Sequence, residues 1–176
     1  MREYQVKELI DRETIERRIA EVAKEIERDY AGKNPIMAVV LKGGFVFAAD
    51  LLRSIDTPFT VDFIGASSYE GTQSTGDIKI TKDLDNPITG RHIILVEDIV
   101  DSGLTLYNLG EVLRKRGALS VKIATLLIKK IDRPFPLDVD YFGFEIPDEF
   151  VVGWGLDYNE RHRGLPFVGY VEFTED

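Results

Sequence analysis

Ile93-Ile94-Leu95-Val96-Glu97-Asp98-Ile99-Val100-Asp101-Ser102-Gly103-Leu104-Thr105 decides how this chain is read. An apolar run of strand character ends in two adjacent carboxylates, Glu97 and Asp98. A short loop of Asp, Ser and Gly follows, and a helical pattern starts at Leu104. That order places acids at the carboxyl end of a strand. It also places free backbone N–H groups and the hydroxyls of Ser102 and Thr105 at a helix N-terminus, where the dipole and the unpaired donors favour a phosphate. Acids beside a phosphate cradle point to a ligand with a phosphate, hydroxyls that donate to carboxylates, and a divalent cation.

Working outward, the same rhythm recurs on both sides. Residues 12–30 read as an amphipathic helix with Ile15, Ile19, Val22, Ala23 and Ile26 on one face. Asp11 caps its start and Gly32 can end it. Ile36 to Leu41 is an apolar strand broken by Lys42-Gly43-Gly44, after which Phe45 to Ser54 reads as a helix. Phe59 to Ala66 and Ile78 to Thr81 are strands, separated by the polar, glycine-containing stretch Ser67 to Asp77, read as a mobile loop. His92 to Glu97 is a central strand. Leu104 to Arg116 carries Leu106, Leu109 and Leu113 in helical register, and Val121 to Ile128 is the next strand. Strand, glycine break and helix in alternation predict an α/β fold with an open, twisted, mainly parallel sheet flanked by helices. The last 40 residues lose the helical rhythm. Tyr141 to Phe144, Phe150 to Gly153 and Phe167 to Phe173 read as short strands of a small subdomain over the sheet edge. In such sheets ligands sit at the carboxyl ends of strands, where Lys42-Gly43, Glu97-Asp98 and Lys129 gather.

Composition narrows the classes. With 176 residues, 44% hydrophobic and 30% charged, the chain suits one globular domain, residues 1–176. The absence of cysteine excludes disulfides and thiolate metal sites. No His/Asp cluster suggests a transition-metal site. Apolar runs of about six residues are far short of a membrane span, and Met1 to Gln5 has no apolar leader character, so a cytoplasmic location is expected. A net charge of −9 argues against nucleic-acid binding, which needs a basic surface. Any anion must therefore be held by local cations, with Lys42, Lys129, Lys130 and Arg163 as candidates.

The run Glu97 to Thr105 resembles the phosphoribosyl-diphosphate (PRPP) motif of type I phosphoribosyltransferases. Leu41-Lys42-Gly43-Gly44, Ser68-Tyr69, Gln73-Ser74-Thr75-Gly76-Asp77, Gly143 to Asp148, Phe150 to Gly153 and Leu156 to Glu160 narrow the likeness to the hypoxanthine-guanine branch, over residues 36–163. The resemblance implies the type I fold with a small hood from the N- and C-terminal segments. It implies transfer of phosphoribose from PRPP to N9 of hypoxanthine and guanine, giving IMP, GMP and pyrophosphate with Mg²⁺, in a homodimer or homotetramer.

The resemblance also assigns roles. Glu97 and Asp98 take the ribose hydroxyls and stabilise an oxocarbenium-like transition state. Residues Asp101, Ser102, Gly103, Leu104 and Thr105 hold the 5′-phosphate. By local sequence alone Asp101 reads as a helix cap; the resemblance makes it the base that takes the N7 proton as N9 attacks C1′. Lys42, Gly43 and Arg163 are implied for pyrophosphate, with Arg161 a neighbouring candidate, and the Leu41–Lys42 peptide is one that can be cis in the family. Lys129 is implied to donate to purine O6, Phe150 to stack on the base, and Val151 to offer backbone groups. Asp157 is placed beside them and, with Glu97 and Asp98, at Mg²⁺. Ser68 and Tyr69 form the lid. Trp154 departs from the family, where tyrosine is common. A xanthine-preferring enzyme, a pyrimidine enzyme, and a nucleotide-sensing regulator on the same fold are the rival readings.

Overall fold

Six strands pair into one sheet, in a computed structural model that describes residues 3–68 and 78–173. In chain order the elements are β1 (Tyr4–Ile10), α1 (Arg12–Tyr30), β2 (Ile36–Leu41), α2 (Gly44–Arg53), β3 (Thr60–Ser68), β4 (Ile78–Lys82), β5 (His92–Val100), α3 (Leu104–Lys115), β6 (Ser120–Lys129), β7 (Tyr141–Ile146), β8 (Val151–Val152) and β9 (Val168–Phe173). The main sheet has the order β4-β3-β2-β5-β6-β7. Its neighbours run parallel, except for β4, which is antiparallel to β3 at the edge. A second, antiparallel sheet of order β1-β9-β8 forms the hood.

The reason for the continuous apolar run in β5 is that both its faces are covered. Ile94 and Val96 pack with residues of α1 and α2, while Ile93 and Leu95 pack with Leu106, Leu109 and Leu113 of α3. α1 starts where its sequence said, with Asp11 Oδ1 accepting from the Thr14 N–H at 2.8 Å. β2 stops pairing with β5 at Val39↔Val96. Glu97 and Asp98 therefore project past β2, while β6 still flanks them at Glu97↔Thr125.

Two elements differ from their sequence reading. Tyr141 to Phe144 does not belong to the hood; it lies within β7 and closes the main sheet against β6. β1 carries no clear strand pattern because it is mostly half-buried or exposed, and its partner β9 lies some 160 residues on, as in Tyr4↔Phe173. Of the expected lid, Ser68 ends β3, paired with Ile78; Tyr69 and the rest of the loop through Asp77 lie outside the described residues.

Candidate active site

The end of β5 brings two carboxylates together with few donors. Asp98 is 8% exposed, and one Oδ accepts the Ile99 N–H at 2.7 Å. Glu97 Oε1 accepts the Asp98 N–H at 3.0 Å. Burial pushes both carboxyls above their ordinary range, and the charge of Asp98 drives Glu97 further up. The turn after β2 lies directly on this pair. A Cβ on Gly43 would stand 1.7 Å from Asp98 Oδ2, so only glycine lets the loop pass. Crowded, under-donated carboxylates fit an incoming set of hydroxyls or a divalent cation. Among the described residues no group of three acids stands ready as a cation site. Mg²⁺ commonly uses one or two carboxylates plus substrate phosphates and water, and Glu97 and Asp98 suit that arrangement.

Asp101 to Gly103 then turn into α3. Gly103 has φ of +76°, a left-handed conformation that glycine adopts without a Cβ clash. No side chain caps α3, and Leu104 N–H lies 3.4 Å from Ser102 Oγ. Beyond that one contact, the N–H groups of a first helical turn have no acceptor within the helix, an arrangement that suits an anion. Arg133 secures the loop from behind. Its Nη2 donates to the carbonyls of Asp101 at 2.8 Å and Lys129 at 2.9 Å, and its Nε to Asp101 O at 3.2 Å.

Lys129 ends β6 beside this loop. Its side chain is only 11% exposed, and its Nζ sits 3.1 Å from Asp101 Oδ2 and 3.0 Å from Asp148 Oδ1. Burial opposes the charge, but hydrogen bonds to Asp148 and Asp101 hold the ammonium pKa above its usual value. A cavity of about 250 Å³ opens here, lined by Asp98, Asp101, Lys129, Phe150, Val151 and Asp157 among others. Phe150 is 51% exposed, an unsatisfied apolar ring at the cavity wall. Its edge meets Tyr158 at a 5.4 Å centroid distance.

The hood supplies the other cation. Arg163 Nη2 is 2.9 Å from Asp157 Oδ1 and 3.4 Å from Glu160 Oε2, and its Nη1 donates to Gly155 O at 2.8 Å. Lys42 Nζ lies 3.2 Å from Glu160 Oε1. The Leu41–Lys42 peptide is cis. Arg161 is exposed and pairs with Tyr158 through its backbone, whereas the Arg163 side chain holds Asp157, a residue of the cavity wall.

The residues named from sequence thus converge, with two adjustments, at Lys130 and Trp154. Asp157 faces the same cavity as Asp98, where its carboxylate is held by Arg163 and by the Glu160 N–H at 2.8 Å. Lys130 sits outside this arrangement, 3.8 Å from Glu145. Trp154 is buried in the core shared with α1 and α2 and does not line the base-sized cavity; any influence it has passes through packing. Sequence reasoning missed Arg133, Asp148 and Glu160. Arg133 grips backbone carbonyls, for which no side-chain motif exists, whereas the charges of Asp148 and Glu160 stood inside motifs already quoted.

The fold and this site define a phosphoribosyltransferase-type α/β domain. Residues 5–159 match the phosphoribosyl transferase domain family, and the chain belongs to that family. Within it, the hypoxanthine-guanine phosphoribosyltransferase of Bacillus subtilis is 47% identical over 94% of this chain and 93% of its own length. A crystal structure of a hypoxanthine-guanine phosphoribosyltransferase from Bacillus anthracis superposes with a TM-score of 0.90 at 45% identity, covering 97% of this chain and 99% of that one. A hypoxanthine phosphoribosyltransferase from Staphylococcus aureus gives 0.90 at 40% identity, covering 94% and 91%. The bifunctional protein TilS/HprT of Listeria innocua is 46% identical over 94% of this chain, which spans 26% of that protein's length.

Proposed function

We propose that this chain transfers the 5-phosphoribosyl group of PRPP to N9 of hypoxanthine and guanine, releasing pyrophosphate and forming IMP and GMP. The observation that carries this is the contact between Lys129 and Asp101, 3.1 Å apart at one wall of the Phe150 cavity. In a 6-oxopurine, O6 and N7 are neighbours along one edge. A lysine that only donates and a carboxylate that only accepts match a carbonyl beside an N–H. Adenine, with an amino group at that corner, offers Lys129 no acceptor.

The first turn of α3 and Ser102 hold the 5′-phosphate. Glu97 and Asp98 accept from the ribose hydroxyls, and their negative charge favours the cationic ribose of the transition state. The C1′–O bond to pyrophosphate breaks as the N9–C1′ bond forms. The N7 proton passes to Asp101, and Lys129 keeps its proton while holding O6. Phe150 stacks on the base, and Lys42, Gly43 and Arg163 receive the pyrophosphate. Bound Mg²⁺ supplies charge neutralisation of the diphosphate. Ser68 and Tyr69 would cover the site and exclude water that would hydrolyse PRPP.

The acting unit is one domain within residues 1–176, in the cytoplasm and as a homodimer or homotetramer. No helix among the described residues is long and apolar enough to cross a membrane. The test is a Mg²⁺-dependent assay with PRPP against hypoxanthine, guanine, xanthine, adenine and uracil. Nucleotide should form with hypoxanthine and guanine and depend on Mg²⁺. Product with uracil alone, or with no base, refutes the proposal.

A further inference from the structure

One carboxylate already occupies both cations assigned to pyrophosphate. Glu160 Oε1 is 3.2 Å from Lys42 Nζ, and its Oε2 is 3.4 Å from Arg163 Nη2. The placement is built in by an unusual turn. Asn159, Glu160 and His162 hold φ of 51°, 60° and 78°, conformations that residues with a Cβ seldom adopt. The turn is pinned by the Glu160 N–H on Asp157 Oδ2 at 2.8 Å and by the pairing of Tyr158 with Arg161. Its outcome is a carboxylate lying between a cation of the β2–α2 turn and a cation of the hood. The hydrogen bond from Lys42, and then its charge, hold the Glu160 carboxyl below the ordinary range, so it is an anion at neutral pH.

We propose that Glu160 is an internal stand-in for the diphosphate: it occupies Lys42 and Arg163 in the resting protein and lowers affinity for PRPP and for pyrophosphate. This rests on the transferase reading above and adds a residue to it. A diphosphate that reaches both cations must displace Glu160. When pyrophosphate leaves, the carboxylate returns to the same two partners and speeds the exit.

The strengths of the contacts fit an exchangeable group. The side chains of Lys42 and Glu160 are 71% and 67% exposed, and an exposed pair is weak. The tie between Arg163 and Asp157 is shorter, at 2.9 Å, and less exposed. Together with the bond from Nη1 to Gly155 O, it keeps the guanidinium in place when Glu160 swings out. The weak contact yields and the strong one orients. A purely structural Glu160, holding Lys42 in position for the ligand, predicts the opposite effect of its removal.

Glu160→Gln keeps the shape and removes the charge. Titration calorimetry with inorganic pyrophosphate and Mg²⁺ should show binding about three- to tenfold tighter than wild type at low ionic strength, shrinking with added salt. The KM for PRPP should fall by a similar factor, with the KM for hypoxanthine unchanged. Weaker or unchanged pyrophosphate binding by folded Glu160→Gln overturns the proposal, as does no binding by either protein. Should Glu160→Gln fail to fold, Glu160→Asp, which retracts the charge by one methylene, decides: tighter binding supports the proposal and equal or weaker binding overturns it. If wild type binds pyrophosphate but transfers phosphoribose to no base, the transferase reading falls, and the calorimetric comparison still decides the role of Glu160.

Discussion

Asp62 and Asp98 are both aspartates of one mainly parallel sheet, 3% and 8% exposed, and they behave oppositely. Asp62, in β3, accepts from the N–H of Phe63 at 2.8 Å, Asp85 at 3.0 Å and Asn86 at 2.9 Å, and from Asn86 Nδ2 at 2.8 Å. Burial alone would raise its pKa, yet these donors together hold it below its ordinary 3.8. Asp98 takes one backbone N–H, stands against Glu97, and is pushed up. Burial alone therefore does not set the state of a carboxylate; the number of its acceptor lone pairs left unfilled does. Asp62 uses its lone pairs to close the connection between β4 and β5. Asp98 retains room for hydroxyls or a cation.

The largest effect expected from this contrast lies at the unfilled end. Asp101 stands beside Asp98 with its side chain 60% exposed, held by Lys129. Asp101→Asn keeps the shape and removes the carboxylate proposed as the base. Turnover should fall about 10²-fold or more, with PRPP affinity changed only slightly and the thermal midpoint nearly constant. Pre-steady-state kinetics with hypoxanthine would check it. Unchanged turnover removes Asp101 as the base; a large loss of stability would place it with Asp62, among the structural acids.

Asp62→Ala makes the reverse case. It leaves three backbone N–H groups and one amide short of an acceptor, which should cost about 3 kcal/mol in a urea unfolding midpoint, with kcat per folded molecule unaltered. The pH dependence has a definite sign. The folded pKa of Asp62 is lowered, so its contribution is present above the unfolded value and is lost as pH falls through the folded one. The stability gap between wild type and variant should therefore be full at neutral pH and close below about pH 4. A gap that persists in acid, or a variant whose kcat falls while its stability holds, breaks the contrast.

The two acids also differ in how far the sequence displayed them. Glu97 and Asp98 were legible because everything around them is local: a strand run, a loop and a helix start within thirteen residues. α1 was legible for the same reason, from its apolar spacing and the Asp11 cap. Lys129 read alone as a strand-end cation and Phe150 as part of a short strand, and only the family resemblance implied a base for them to hold. Asp62 gave no signal, since its main partners lie 23 and 24 residues away and are mostly backbone. β1 failed similarly, because its strand character comes from pairing with β9 at the other end of the chain. Local periodicity cannot report contacts that exist only after the chain has closed on itself.

Arg133 is the site's nearest counterpart to Asp62, a charge spent on backbone groups, and it gives the smallest predicted effect. It donates to the carbonyls of Asp101, Lys129 and Val100, the last at 3.3 Å. It thereby ties the loop from Asp101 to Gly103 to the end of β6, where the proposed function sets Asp101 and Lys129 against neighbouring atoms of one base. Arg133→Met retains the stem and loses every donor. If the clamp serves positioning, small displacements of Asp101 should lower kcat about tenfold, with the KM for PRPP little changed. In an Asp101→Asn background the same substitution should then cost almost nothing further in kcat, because the base it positions is gone. Equal losses in both backgrounds would separate Arg133 from Asp101. A drop in thermal midpoint with kcat intact would make Arg133 what Asp62 is: a charge filled by its own chain, holding shape and taking no part in the chemistry.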